Sequence, residues 1–93
     1  MAKRRTIDIA GQRWTVHRCR VPSDRYGDCD YDARKIRICH TLTGERFLNT
    51  LLHELLHARW PDICEEAVKE FADELAGNVT FWGYAQPDDH LED

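Results

Sequence analysis

Apolar and polar positions alternate in the first part of the chain, as they do in strands with one buried face. Residues 6–21 follow this pattern on both sides of Ala10-Gly11, a pair that can form a turn, so we expect a β-hairpin. Residues 22–34 are polar and rich in turn formers, which predicts an exposed loop. The pattern returns in residues 35–39, which predict one more short strand.

The period of the apolar residues changes to that of a helix in the second half. Leucines and a phenylalanine recur at helical spacing over residues 44–59, with Thr43 as a plausible N-cap and Pro61 as the stop signal. A second apolar stripe predicts a helix from Ile63 to about Ala76, with the option of continuing to Trp82. These elements predict an α+β fold, a small three-stranded sheet packed on two helices.

The composition is that of one ordinary globular domain. The 93 residues are 42% hydrophobic and 32% charged, so we expect a single domain over residues 1–93, with a disordered acidic tail over about residues 86–93. The net charge of −4 argues against a dedicated nucleic-acid binder. The basic run Lys3-Arg4-Arg5 is therefore interpreted as a solvated chain end.

Hydropathy indicates a protein that functions away from membranes. No apolar run approaches membrane-spanning length, and no apolar segment follows the basic start as a signal peptide requires. We therefore expect a cytoplasmic location and reduced thiols at the four cysteines. The oligomeric state is left open.

Candidate chemistry is concentrated in His53-Glu54-Leu55-Leu56-His57, an HExxH pattern inside the first predicted helix. Residues four apart on a helix lie one turn above each other, so both imidazoles can reach one ion. The carboxylate of Glu54 is then placed to act as a general base on a water near that ion. The pattern predicts a Zn²⁺ site with His53 and His57 as ligands and Glu54 as the catalytic residue.

A third protein ligand is needed if zinc is to keep one open coordination position. The adjacent residues Glu65 and Glu66 both follow the break at Pro61. Asp62 and Glu65 have the spacing of a capping box, which gives Glu65 a local role. We therefore favour Glu66 as the ligand, with Glu70 one turn later as a possible partner for a ligand histidine, and keep Glu65 as the alternative.

The HExxH segment followed by Glu65-Glu66-Ala67-Val68-Lys69-Glu70 resembles the gluzincin metallopeptidases. In that family a glutamate on a following helix completes the site within an Asn-Glu-x-x-Ser-Asp motif. The resemblance implies Glu66 as the ligand and Glu70 as the outer acid, whereas Glu65 and Lys69 depart from the family's Asn and Ser. It also implies a minimal zincin-like fold, close in size to small phage-associated and stress-regulatory zinc peptidases. The strand before the motif helix, residues 35–39, corresponds to the sheet edge that receives the substrate peptide in that family.

The predicted function is zinc-dependent hydrolysis of peptide bonds in a protein or peptide substrate. One alternative is a catalytically silent zinc-binding interaction module, since a short chain leaves little room for substrate subsites. The other is a nucleic-acid-associated protease-like protein that uses the basic start and the Arg-rich loop. The charged side chains of the second helix beyond the candidate ligands, Lys69, Asp73 and Glu74, are interpreted as solvated. Four polar residues could stabilise an oxyanion, namely Tyr31, His40, Arg59 and Tyr84.

Overall fold

A computed structural model describes residues 3–84 and has an α+β architecture, which confirms the predicted fold class. The sheet has four strands, however, where the sequence predicted three. The predicted disordered tail, residues 86–93, lies outside the described residues. The elements in chain order are β1 (Lys3–Ile9), β2 (Gln12–Cys19), β3 (Gly27–Asp30), β4 (Lys35–Cys39), α1 (Gly44–Arg59) and α2 (Glu65–Phe81).

Strands β1 and β2 form the predicted hairpin. They pair antiparallel, and the two residues between them, Ala10 and Gly11, have φ angles of 52° and 80°. Positive φ at both central residues is what a type I′ turn requires, and this turn matches the twist of the flanking strands. The hairpin therefore closes with the shortest common loop.

The additional strand, β3, lies in the segment that was predicted to be an exposed loop. Its sequence, Gly-Asp-Cys-Asp, has low strand propensity, so the local pattern gives no sign of it. It forms because it pairs antiparallel with β4, where Cys29 lies opposite Ile36 and Asp28 lies opposite Arg37. The Arg37 guanidinium donates two hydrogen bonds to the Asp28 carboxylate and lowers the pKa of that carboxyl group.

The strand order is β1-β2-β4-β3, and β2 and β4 are parallel. The strand before the motif helix, β4, is thus an interior strand, and the expectation that it forms the sheet edge is wrong. The edge beside α1 is β3 instead. Close approach there depends on Gly27, since a Cβ at this position would lie 2.7 Å from the Arg37 carbonyl oxygen and 3.0 Å from Cγ2 of Thr50 on α1.

Helix α1 has the predicted bounds and uses three faces. One face packs on the sheet, where Phe47, Leu51 and Leu55 contact a core that includes Ile36 and Ile38, both fully buried. Burial of an isoleucine side chain contributes about 1.5–3 kcal/mol, so these two positions stabilise the packing of α1 on the sheet. The second face packs on α2, and the third carries the HExxH side chains.

Helix α2 begins at Glu65, two residues later than predicted, and continues past Gly77 to Phe81. Its N-cap is Cys64, whose sulfur accepts a hydrogen bond from the Ala67 amide at 3.4 Å. The capping box that was predicted to start at Asp62 is therefore wrong. The helix packs on α1 through small buried residues, and neither helix in the described part of the chain is long and apolar enough to cross a membrane.

Candidate metal centre

The two motif histidines lie side by side on α1. His53 and His57 are one helical turn apart, and their ring centroids are separated by 4.9 Å. Both side chains are partly buried, with exposed fractions of 21% and 18%. Because the leucine-rich faces of α1 pack on the sheet and on α2, the position of the two imidazoles relative to the rest of the protein is fixed.

Glu65, the first residue of α2, closes the group from the opposite side. Its Oε2 lies 3.0 Å from Nε2 of His53, and its Oε1 lies 2.9 Å from Nε2 of His57. Each of the three residues contributes one donor atom to a set that lies within 4.8 Å. Two imidazole nitrogens and one carboxylate oxygen are ligands that zinc accepts, and three protein ligands leave a fourth position open. The donor chemistry of the group therefore fits a catalytic type of zinc site.

Glu66, which the sequence favoured as the third ligand, lies outside this group. Successive residues on a helix are rotated by about 100°, so Glu65 and Glu66 cannot both face α1. Glu66 and Glu70 are exposed, and neither is among the described residues that line the cleft around the histidines. The alternative ligand, Glu65, is the one brought to the histidines, since the Cys64 cap leaves its carboxylate without a capping role.

The group opens into a cleft of about 910 Å³ between the two helices and the edge strand. Its walls come from three elements. Strand β3 and its flanks contribute one side, α1 contributes the floor, and the first three turns of α2 contribute the other side. The lining residues are Tyr26, Gly27, Cys29, Tyr31, Glu45, Arg46, Asn49, Thr50, His53, Glu54, His57, Glu65, Lys69 and Asp73.

Glu54 lies in this cleft as a buried carboxyl group, with 8% of its surface exposed. Burial raises its pKa to about 7. The charge of His57 opposes this increase, whereas the negative charges of Asp28 and Glu65 add to it. Glu54 is outside the group of three candidate ligands, so its carboxyl group is available for chemistry beside them.

Tyr31 is the oxyanion candidate that lines the cleft. Its hydroxyl group donates a hydrogen bond of 3.1 Å to the carbonyl oxygen of His57, and its ring packs edge-on against Trp14. The side chain is therefore anchored beside the second histidine. The other three candidates, His40, Arg59 and Tyr84, are exposed residues that do not line the cleft.

Several residues of the cleft were not singled out from the sequence. Lys69 and Asp73, interpreted as solvated charges, follow Glu65 at intervals of four and continue its stripe along α2. Across the cleft, Asn49 on α1 donates a hydrogen bond of 2.6 Å to Oδ1 of Asp73. Glu65, Lys69 and Asp73 are spaced i, i+4, i+8, and this spacing could have predicted from the sequence that Lys69 and Asp73 line the cleft. It could be used only once Glu65, and not Glu66, was chosen as the ligand.

A further cleft residue is Cys29 on β3. Burial raises the pKa of its thiol to about 11, and the negative charge of Glu54 adds to this increase. The four cysteines are free thiols. Cys29 therefore contributes a small, neutral wall next to Glu54.

Comparison with protein-family models, curated proteins and solved structures finds no match for this chain. The geometry of His53, Glu54, His57 and Glu65 is therefore the basis for assigning a function.

The two adjacent glutamates offer a matched test of the third ligand. Glu65→Gln is expected to weaken zinc binding by on the order of 100-fold or more, because loss of a ligand should exceed the 10–100-fold effect of an outer partner. Glu66→Gln removes the same charge one residue away and should bind zinc like the wild type. Competition with a chelating dye measures both affinities. The reverse order of affinities would assign the ligand to Glu66.

Proposed function

We propose that this protein is a zinc-dependent peptidase in which His53, His57 and Glu65 hold the metal and Glu54 is the general base. The observation that carries the proposal is the convergence of His53 and His57 from α1 with Glu65 from α2 at one end of an open cleft. The buried carboxyl group of Glu54, which lies on α1 with the two histidines, supports the proposal. Zinc-dependent hydrolysis of a peptide bond needs both metal ligands and a proton acceptor.

Zinc bound at such a site supplies a Lewis acid that polarises a carbonyl group and lowers the pKa of a coordinated water. The proton transfers and the stabilisation of the oxyanion depend on residues of the protein. Glu54 accepts a proton from the attacking water and delivers it to the leaving amine. Tyr31 can turn its hydroxyl group from the His57 carbonyl toward the substrate carbonyl oxygen, where a donor stabilises developing negative charge.

The substrate in this proposal is an extended segment of polypeptide. Strand β3 is an edge strand, and its residues Gly27 and Cys29 line the cleft that contains the histidines. An edge strand presents unpaired backbone groups along one side, with which an extended peptide can form main-chain hydrogen bonds. Such pairing directs a peptide along the cleft and past Glu54 without a demand for particular side chains.

Cleavage of a diverse peptide library tests the proposal. Zinc-loaded protein is expected to cleave library members, to lose activity when stripped with a chelator, and to regain it when zinc is restored. Mass spectrometry identifies the products and the bonds cleaved. If one zinc ion binds per chain and no member is cleaved, the site belongs to an interaction module and the peptidase proposal is overturned.

A further inference from the structure

Side chains of α1 and α2 pair in a regular order along the cleft. At one end, Nε2 of His57 lies 2.9 Å from Oε1 of Glu65. About two turns earlier on α1, Asn49 donates a hydrogen bond of 2.6 Å to Asp73, which lies about two turns after Glu65 on α2. Each step back along α1 is matched by an equal step forward along α2, so the two pairs share one axial register.

The Asn49–Asp73 pair is the directional contact in this register away from the metal ligands. Within residues 3–84, it is the only side-chain hydrogen bond between the two helices apart from the contacts of Glu65 with the histidines. One turn further, a Cβ at Gly77 would lie 3.6 Å from Oε2 of Glu45. This third contact keeps the same register, but Gly77 has no side chain with which to form a hydrogen bond.

Apolar packing between the helices selects the register only weakly. Val68 and Ala72 on α2, both fully buried, pack with Leu52 and Leu56 on α1. Burial of apolar surface is non-directional, so a small shift of one helix along the other changes its contribution little. A hydrogen bond depends steeply on distance and angle, so the same shift would break the Asn49–Asp73 bond.

Zinc coordination is sensitive to the same shift. Successive residues are about 1.5 Å apart along a helix axis, whereas metal–ligand distances vary by only about 0.2 Å. Movement of α2 by one such step would withdraw the Glu65 carboxylate from an ion held by His53 and His57. Because helices bend only gently, a bond at Asp73 also fixes the axial position of Glu65 on the same helix.

We propose that Asn49 and Asp73 are positioning residues whose hydrogen bond fixes the register in which Glu65 reaches zinc. This role rests on the zinc site proposed above and extends it to two residues that line the cleft outside the ligand group. Without the bond, α2 samples other axial positions, and only molecules in the native register offer all three ligands. The apparent zinc affinity falls with the fraction of those molecules.

An exchange of the two side chains tests this role through zinc affinity, measured by competition with a chelating dye. Asn49→Asp places two carboxylates opposite each other and should weaken zinc binding by roughly tenfold, the effect of losing one hydrogen bond to a charged group. By charge alone, an added carboxylate near a cation would strengthen binding, so weakening reports on the lost bond. The double variant N49D/D73N restores an amide–carboxylate bond and should recover most of the wild-type affinity.

Asn78→Asp is the matched control, because it makes the same substitution at an exposed residue of α2 that does not line the cleft. It should bind zinc like the wild type. Circular dichroism and melting of the metal-free proteins establish that each variant is folded. If Asn49→Asp does not fold, Asn49→Ala removes the donor without adding a charge and should also weaken zinc binding.

Three results would count against the proposed roles. A folded Asn49→Asp protein that melts at a lower temperature but binds zinc like the wild type would overturn the positioning role and leave Asn49 a structural one. A folded N49D/D73N protein that does not regain affinity would overturn it as well. Wild-type protein that binds no zinc would instead overturn the metal centre itself, so the two failures are distinguishable.

Discussion

Addition of zinc to metal-free protein is expected to raise the melting temperature by roughly 10–20 °C. His53 and His57 lie on α1 and Glu65 begins α2, so an ion held by all three joins the two helices. A ligand present at 100 times its Kd stabilises the native state by about 2.7 kcal/mol. Each kcal/mol shifts the melting temperature of a domain of this size by about 4–8 °C. Thermal unfolding with and without zinc measures the shift.

Two histidine variants make the thermal experiment specific to the proposed site. His53→Ala should lose the zinc-dependent shift, since one of three ligands is gone. His40→Ala should keep it, because His40 is exposed and does not line the cleft. A wild-type protein that purifies without metal and melts at the same temperature after zinc is added would contradict the proposed centre.

Local sequence patterns were sufficient to predict the strands and helices that have an apolar face to bury. The alternating hairpin and the leucine-rich α1 have the expected positions, and the bounds of α1 agree with the prediction. Strand β3 was not predicted because its four residues have little intrinsic preference for a strand. It forms by pairing with β4, the next strand in the sequence. The conformation of such a segment is determined by its pairing with the neighbouring strand, and the local pattern of apolar and polar residues does not show this pairing.

The same distinction explains which parts of the candidate site could be anticipated. His53, Glu54 and His57 belong to one helix, so their relative placement follows from helical geometry alone. The residue brought to them from α2 depends on where that helix begins, and helix starts are the least certain feature of a sequence-based prediction. A start at Glu65 with a Cys64 cap turns Glu65 toward the histidines and Glu66 away from them.

The place of the basic run near the start of the chain could also not be derived from composition, because net charge is a sum over the whole chain. The run Lys3-Arg4-Arg5 was interpreted as a solvated chain end; its side chains are exposed, and it forms the start of β1, which pairs in register with β2. Its central residue, Arg4, therefore lies directly opposite His17 on β2.

Glu54→Gln is expected to abolish peptide cleavage while zinc content and fold stay close to those of the wild type. Glu54 is outside the group of three candidate ligands, so its replacement removes no metal bond. Glutamine has nearly the same size and suits the same buried position, but its neutral amide cannot accept the proton from the attacking water. Loss of a general base typically lowers the rate by about 10²–10⁴-fold. Cleavage of a library-derived peptide, with metal analysis of the same sample, measures both properties.

Glu74→Gln is the matched control, because Glu74 is an exposed residue of α2 that does not line the cleft. It should cleave the same peptide at the wild-type rate, so a loss confined to Glu54→Gln reports on the site and not on charge in general. Cleavage that survives in Glu54→Gln at full zinc occupancy would show that another group accepts the proton. Loss of zinc from that variant would instead make Glu54 part of the metal centre, since a residue that acts only on the water leaves the ligands His53, His57 and Glu65 intact.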